Sequence, residues 1–185
     1  MNDSPRKAGT EKEIPMNNAH RLDHILDSAQ VPYIDETWEP WRLPHLTILF
    51  GGVAAGIGSS GLVAVPDRIM YLRLCSVTGA CLGWLRVLGV ADPREAMRAE
   101  YDRACVKHPG WTLDSDRPTA SQRLAALVEE LGEVARALTY DASTEAGHGG
   151  DLATEVTQVG ALAAAWALHV LETAEVETID VGRAL

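Results

Sequence analysis

The clearest hydrophobic pattern in the chain lies between Thr119 and Leu171, where two helices are predicted on either side of a glycine-rich break. Thr119 and Gln122 have the spacing of a capping box at a helix start, and Pro118 comes immediately before them. Apolar residues then recur at the spacing of a core-facing helix: Leu124, Leu127, Val128, Leu131, Val134, Ala135 and Leu138.

The second helix is predicted to begin at Asp151, a good capping residue that follows several glycines. Its apolar stripe comprises Leu152, Val156, Val159, Leu162, Ala163, Trp166 and Val170. Glu155 falls inside this stripe. Because an unpaired buried carboxylate is costly, Glu155 needs a cation, a set of hydrogen-bond donors or a proton. Gln158, one turn further on, can add an amide oxygen.

Three acidic residues lie on the first helix. Glu130 is predicted on the flank of the apolar stripe, Glu133 one turn further along the same side, and Glu129 on the other side. Two antiparallel helices that offer such oxygen ligands suit Mg²⁺, which keeps several waters and is commonly shared with substrate phosphates. The alternative is an ordinary solvated acidic face, which does not explain a carboxylate among Leu, Val and Trp.

The run Glu-Glu-Leu-Gly-Glu at 129–133, followed after a loop by Glu-Val-Thr-Gln at 155–158, resembles the EExxE…ExxD signature of MazG-like nucleoside triphosphate pyrophosphohydrolases. The residues at 127–128 and 134–138 are also similar to that family, and the resemblance covers about 103–172. It implies an all-α, MazG-like helical bundle completed by oligomerisation. It also implies Mg²⁺-dependent hydrolysis of a nucleoside triphosphate to a monophosphate and pyrophosphate.

Carried over residue by residue, the resemblance implies that Glu130, Glu133 and Glu155 hold Mg²⁺, with Gln158 where an Asp is usual. Glu129, Glu130 and Glu133 would be the catalytic residues, with Glu129 orienting or deprotonating the attacking water. Gln158 removes one negative charge, which implies a weaker site, one metal instead of two, or lost activity. A catalytically inactive helical module that acts by oligomerisation or partner binding therefore stays open.

A further helix is predicted from Asp92, with a proline at its first turn, to about Lys107. In the hydrolase interpretation, Arg103 and Lys107 bring positive charge to the triphosphate. In the alternative, these bases pair with acidic residues of their own helix. Trp111 follows in a loop, where it could stack on a base or anchor the loop by packing.

The chain before this helix is harder to interpret. Residues 1–20 are predicted to be a disordered lead, and residues 21–91 an apolar, glycine-rich extension whose fold the sequence does not give. A short amphipathic helix is expected at 21–29. The run Leu46–Val65 has no charged residue and is long enough to cross a bilayer. Its five glycines and two serines favour a buried or self-associating segment, with a membrane anchor as the alternative.

The same run contains Gly-Ile-Gly-Ser-Ser-Gly at 56–61, which matches a dinucleotide-binding fingerprint. Pro66 would cut short the helix that this fingerprint requires, and no acidic residue lies at the required distance. The match is interpreted as incidental. The helical domain is predicted at 92–173, and residues 174–185 are predicted to form an acidic tail.

Composition narrows the function classes. The chain has 26 acidic and 16 basic residues and a net charge of −10, so a nucleic-acid-binding surface is not expected. Three cysteines without a Cys-x-x-Cys motif give no support for zinc and indicate reduced thiols in a cytoplasmic protein. Two helices alone cannot bury two apolar stripes, so a homo-oligomer is expected.

Overall fold

The computed structural model describes residues 17–29, 42–58, 67–139 and 151–173, and within these ranges the chain forms six α-helices and no strand. The all-α prediction is confirmed. The helices are α1 (Asn17–Ser28), α2 (Arg42–Gly58), α3 (Asp67–Val87), α4 (Pro93–Lys107), α5 (Ala120–Thr139) and α6 (Leu152–Thr173). Residues 1–16 and the predicted tail at 174–185 lie outside the described residues.

The predicted helix starts of α4, α5 and α6 are confirmed by their caps. Asp92 accepts a hydrogen bond from the Glu95 backbone N–H at 3.0 Å, with a proline at the first helical position. Thr119 and Gln122 form a reciprocal capping box, with distances of 2.9 and 3.3 Å. Asp151 accepts from the Ala153 N–H at 3.2 Å. Each cap satisfies backbone N–H groups that a helix start leaves without partners.

Helix α6 is the centre of the core. It packs against α3, α5, α4 and α1, and it is buried on nearly all sides over its second half. The predicted α6 stripe is confirmed, because Val156, Val159, Trp166 and Val170 are buried. The main partner of α6 is α3, which lies before residue 91. The domain boundary predicted at residue 91 therefore falls at a turn within one hydrophobic core.

The stripe predicted for α5 is only partly buried, which corrects the sequence interpretation. Leu127 and Val134 are fully buried, whereas Val128 is 53% exposed and Leu138 is 46% exposed. Helix α5 packs against α6 and α2, and these two neighbours cover one narrow side of it. Val128 and Leu138 lie outside that contact.

The N-terminal helices complete the core. On α1, the predicted apolar positions Leu22, Ile25 and Leu26 are buried, although the helix begins at Asn17, inside the segment predicted as disordered lead. Helix α2 packs on α3, where the Arg73 guanidinium donates to the Gly52 carbonyl at 2.6 Å. Residues 46–50 are helical, so the strand that a dinucleotide-binding fingerprint needs is absent there.

The fold bears on two expectations about the apolar segments, a membrane anchor and a second copy of the chain. No helix among the described residues combines the length and the apolar content that crossing a membrane requires. The apolar side of α6 is covered by α3 of the same chain, which removes part of the sequence argument for a second copy. Oligomerisation itself stays a prediction.

Candidate metal centre

Helices α5 and α6 bring three carboxylates together. Glu130 and Glu133 lie one turn apart on α5, and Glu155 lies in the first turn of α6, where the cap at Asp151 fixes the direction of the helix. One oxygen atom from each of the three carboxylates lies within 4.8 Å of the others. Glu155 is only 7% exposed, so its predicted inward orientation is confirmed.

Burial, and after it the repulsion between like charges, raises the pKa of two of these carboxyls, Glu130 and Glu155. Burial, together with the negative charges of Glu133 and Glu155, raises the pKa of Glu130 to about 7. Burial and then the charge of Glu133 raise the pKa of Glu155 above its ordinary value. The centre therefore favours a neutralising partner, either a proton or a cation, at neutral pH.

Gln158 places its terminal amide between two of these carboxylates. Carboxylates only accept hydrogen bonds, so the amide nitrogen is assigned to the side that faces them. In this orientation the nitrogen donates to Glu130 Oε2 at 2.6 Å and to Glu155 Oε2 at 3.0 Å. The third carboxylate, Glu133, accepts from Arg136 Nη2 at 2.9 Å. Thus all four predicted metal-ligand positions meet in one place.

The donor set fits a hard divalent cation. Carboxylate oxygens are ligands that Mg²⁺ and Mn²⁺ prefer, and the buried Glu155 is held among apolar side chains, where a cation offsets the cost of its charge. Glu130 and Glu155 face each other across two helices, so the fold itself fixes their separation.

A cleft of about 260 Å³ opens beside the carboxylates, between α4, α5, α6 and the loop that joins α4 to α5. Glu129, Glu130, Gln158 and Glu100 form its acidic end. Its remaining wall is mostly apolar or aromatic and consists of Tyr101, Ala104, His108, Trp111, Thr112, Leu113, Ala126, Ala161, Leu162 and Ala165. The cleft thus joins a charged end to a surface suited to a flat apolar group.

Trp111 is presented to the cleft by the α4–α5 loop. Its side chain is 53% exposed, which does not fit a buried packing anchor. The Arg117 guanidinium lies over the indole ring, 5.7 Å from its centroid. Gly110 takes a φ of +73° just before Trp111, a conformation that a side chain would strain. The loop turns at this glycine and so brings the indole to the cleft.

The same loop is held by a buried arginine. Arg123, at the first turn of α5, is 4% exposed and donates to the carbonyls of Leu113 at 2.8 Å, of Ser115 at 2.5 Å and of Pro118. On the other side, the Tyr101 hydroxyl donates to Asp114 Oδ2 at 2.8 Å. These contacts hold the loop from Leu113 to Pro118, so this side of the cleft mouth is preorganised.

The two basic residues predicted to contact the triphosphate do not line the cleft. Arg103 does not line the cleft and instead pairs with Glu100, through Nε at 2.7 Å and Nη2 at 2.5 Å. This is the pairing within one helix that the alternative interpretation expected. Lys107 is exposed at the end of α4 and also lies outside the cleft lining. Of the three predicted substrate-binding residues, only Trp111 lines the cleft.

Sequence reasoning missed several residues of this region. Glu100, Ala104 and His108 follow the i, i+4, i+8 spacing of one helical side, with Tyr101 next to them, and this spacing was the available signal for a cleft-facing side of α4. The role of Arg123 had no such signal, because its partners are loop carbonyls whose positions depend on the tertiary fold.

Comparisons of the chain with protein-family models, with curated proteins and with solved structures find no significant match. The functional interpretation therefore depends on the residues and their geometry.

Proposed function

We propose that the protein is a Mg²⁺-dependent nucleoside triphosphate pyrophosphohydrolase that releases a nucleoside monophosphate and pyrophosphate. The observation that carries the proposal is the meeting of three carboxylates from two helices, one of which, Glu130, lines the acidic end of a partly aromatic cleft. A charged end beside a flat apolar wall matches a substrate with phosphates at one end and a base at the other. The likeness to the MazG-like signature supports the same reaction.

In this proposal Glu130, Glu133 and Glu155 hold the cation, and Gln158 adds its amide oxygen after a half-turn of the amide. Bound Mg²⁺ would neutralise phosphate oxygens and lower the pKa of a coordinated water. Arg136, which already contacts Glu133, orients that carboxylate. The net charge of −10 makes a cation necessary for a polyphosphate to approach this end of the cleft.

Glu129 is exposed and lines the cleft beside Glu130, a position from which it can accept a proton from the attacking water. The oxygen of that water bonds to phosphorus, the bond between the α- and β-phosphates breaks, and pyrophosphate leaves. Trp111 stacks on the base from the loop that Arg123 holds. The apolar wall formed by Ala161, Leu162 and neighbouring residues excludes water around the base.

The direct test is pyrophosphate release from each common nucleoside triphosphate, with and without Mg²⁺. Glu130→Gln and Glu155→Gln should each lower the rate by more than about 100-fold. Even mutating a residue that only hydrogen-bonds to a metal ligand typically costs about 10- to 100-fold in metal affinity or activity. Glu172→Gln is the matched control, since this exposed residue pairs with Arg21 away from the centre. Unchanged rates in both site variants, with folding checked by circular dichroism, would refute the assignment.

A second candidate is a non-catalytic helical module that acts by oligomerisation or partner binding. The observations that favour it are the hydrogen bonds of Gln158 to two of the carboxylates and the pairing of Arg103 with Glu100. In such a module the centre is satisfied by the chain's own donors. Calorimetric titration with Mg²⁺ separates the two candidates. The hydrolase should bind Mg²⁺ with a heat that disappears in Glu130→Gln, whereas the module should show no such heat.

A further inference from the structure

The contacts of Gln158 show how the carboxylate centre is stabilised by the chain's own side chains. The amide nitrogen lies 2.6 Å from Glu130 Oε2 and 3.0 Å from Glu155 Oε2. Glu133 accepts from Arg136 at 2.9 Å. Each of the three carboxylates therefore has a hydrogen-bond donor from the protein.

The amide is suited to this position because it is neutral and carries two N–H groups on one atom. It can join two carboxylates without adding charge. An Asp or Glu at the same place would add a fourth negative charge to oxygens that already lie within 4.8 Å of one another, and it would supply no donor. Such a centre would depend on a cation to stay assembled.

The amide has a second useful property. A half-turn about its terminal C–C bond exchanges nitrogen and oxygen while the rest of the side chain stays in place. The same residue can therefore donate to Glu130 and Glu155 in one orientation and present an oxygen ligand in the other.

We propose that Gln158 acts as a built-in substitute for a cation, so that the centre assembles without a divalent ion. Its N–H groups join α5 to α6 when no ion is bound, and its oxygen faces the ion when one is bound. Gln158 is a positioning residue in this role. The half-turn on metal binding rests on the proposed function, whereas the cross-link between the helices rests on the hydrogen-bond geometry alone.

Thermal unfolding of three variants tests the proposal. In EDTA, Gln158→Glu should lower the melting temperature by about 5 °C or more, because two hydrogen bonds to charged groups are lost and repulsion is added. Excess Mg²⁺ should restore most of this loss, since the new carboxylate is a metal ligand. Gln158→Met keeps the length of the side chain but has no N–H, so it should lose stability in EDTA without a comparable recovery in Mg²⁺.

Thr154→Glu is the matched control, because it adds the same charge to an exposed position of the first turn of α6. It should leave the melting temperature in EDTA within about 1 °C of wild type. The proposal is overturned if Gln158→Glu and the control behave alike in EDTA, if Mg²⁺ fails to restore Gln158→Glu, or if Gln158→Met keeps wild-type stability.

These outcomes are independent of catalysis. If wild-type protein releases no pyrophosphate but the variants follow the expected pattern, the hydrolase proposal fails and the role of Gln158 stands. If wild-type protein is active and Gln158→Glu is stable in EDTA, the function stands and the role of Gln158 is refuted.

Discussion

The first two turns of α6 and its last three turns both bury side chains in the protein, but the side chains that they bury differ in kind. The first turns carry Glu155, which is 7% exposed, and the half-buried Gln158, whose amide donates to Glu155 on the same helix and to Glu130 on α5. The last turns carry Ala164, Trp166 and Leu168, which are all apolar and all exposed by 3% or less.

This difference separates apolar packing from polar pairing along one helix. Apolar burial is not directional, so the last turns tolerate small shifts and contribute in proportion to the area removed from water. The polar first turns stabilise the fold only when each buried donor and acceptor has a hydrogen-bond partner, because a buried polar group without a partner costs free energy. Substitutions in the last turns should therefore lower stability, and substitutions in the first turns should change charge balance and metal binding.

The largest effect is expected at Trp166. Trp166→Ala should lower the free energy of unfolding by about 3–5 kcal/mol, because it removes a large side chain from a packed core. Trp111→Ala is the matched control: this indole is 53% exposed, so the loss should stay near 0.5 kcal/mol. Urea denaturation measures both. Similar losses in the two variants would contradict the division between core and cleft.

The stability of the protein should depend on pH through the carboxylates that meet at the start of α6. The pKa of Glu130 is raised from 4.5 to about 7, so proton binding stabilises the folded state. This contribution is complete below about pH 4.5 and is lost as the pH rises through about 7. In EDTA the melting temperature should fall between pH 5.5 and 8, and Mg²⁺ should reduce that fall. Glu130→Gln should flatten the profile; an unaltered slope in this variant would assign the effect to other groups.

Much of this polar end could be predicted from the sequence because its signals are local. Capping residues precede the helices at fixed spacings, and the position of Glu155 within an apolar stripe follows from helical periodicity. A buried carboxylate in such a stripe is unusual enough to indicate a polar centre. The structure confirms the caps and the burial of Glu155.

The remainder depends on contacts between distant parts of the chain. Periodicity predicted that Val128 and Leu138 face the core, but it could not show that α5 is covered on one narrow side only. It also could not show that α3 is the main partner of α6. The orientation of the Gln158 amide follows from carboxylates on two helices, which only the fold brings together.

A smaller effect is expected where α6 approaches α3 and α4. A methyl group at Gly160 would lie 3.0 Å from Cys81 Cβ and would also clash with the Met97 side chain. Gly160→Ala should therefore lower the free energy of unfolding by about 1–2 kcal/mol, since overpacking outweighs the gain in helix propensity. Denaturant unfolding checks this. A more stable variant would show that the contact between these helices is looser than the structure indicates.

The smallest effect, of opposite sign, is expected at Gly132 on α5. It lies between Glu130 and Glu133 in sequence, but it is exposed, and among the described residues no atom outside the backbone of α5 itself lies within 4 Å of an added methyl group. Gly132→Ala should therefore stabilise the protein by about 0.5–1 kcal/mol through helix propensity alone. Pyrophosphate release should not change. A loss of stability, measured at two protein concentrations, would mean that another copy covers this side of α5 beside Val128.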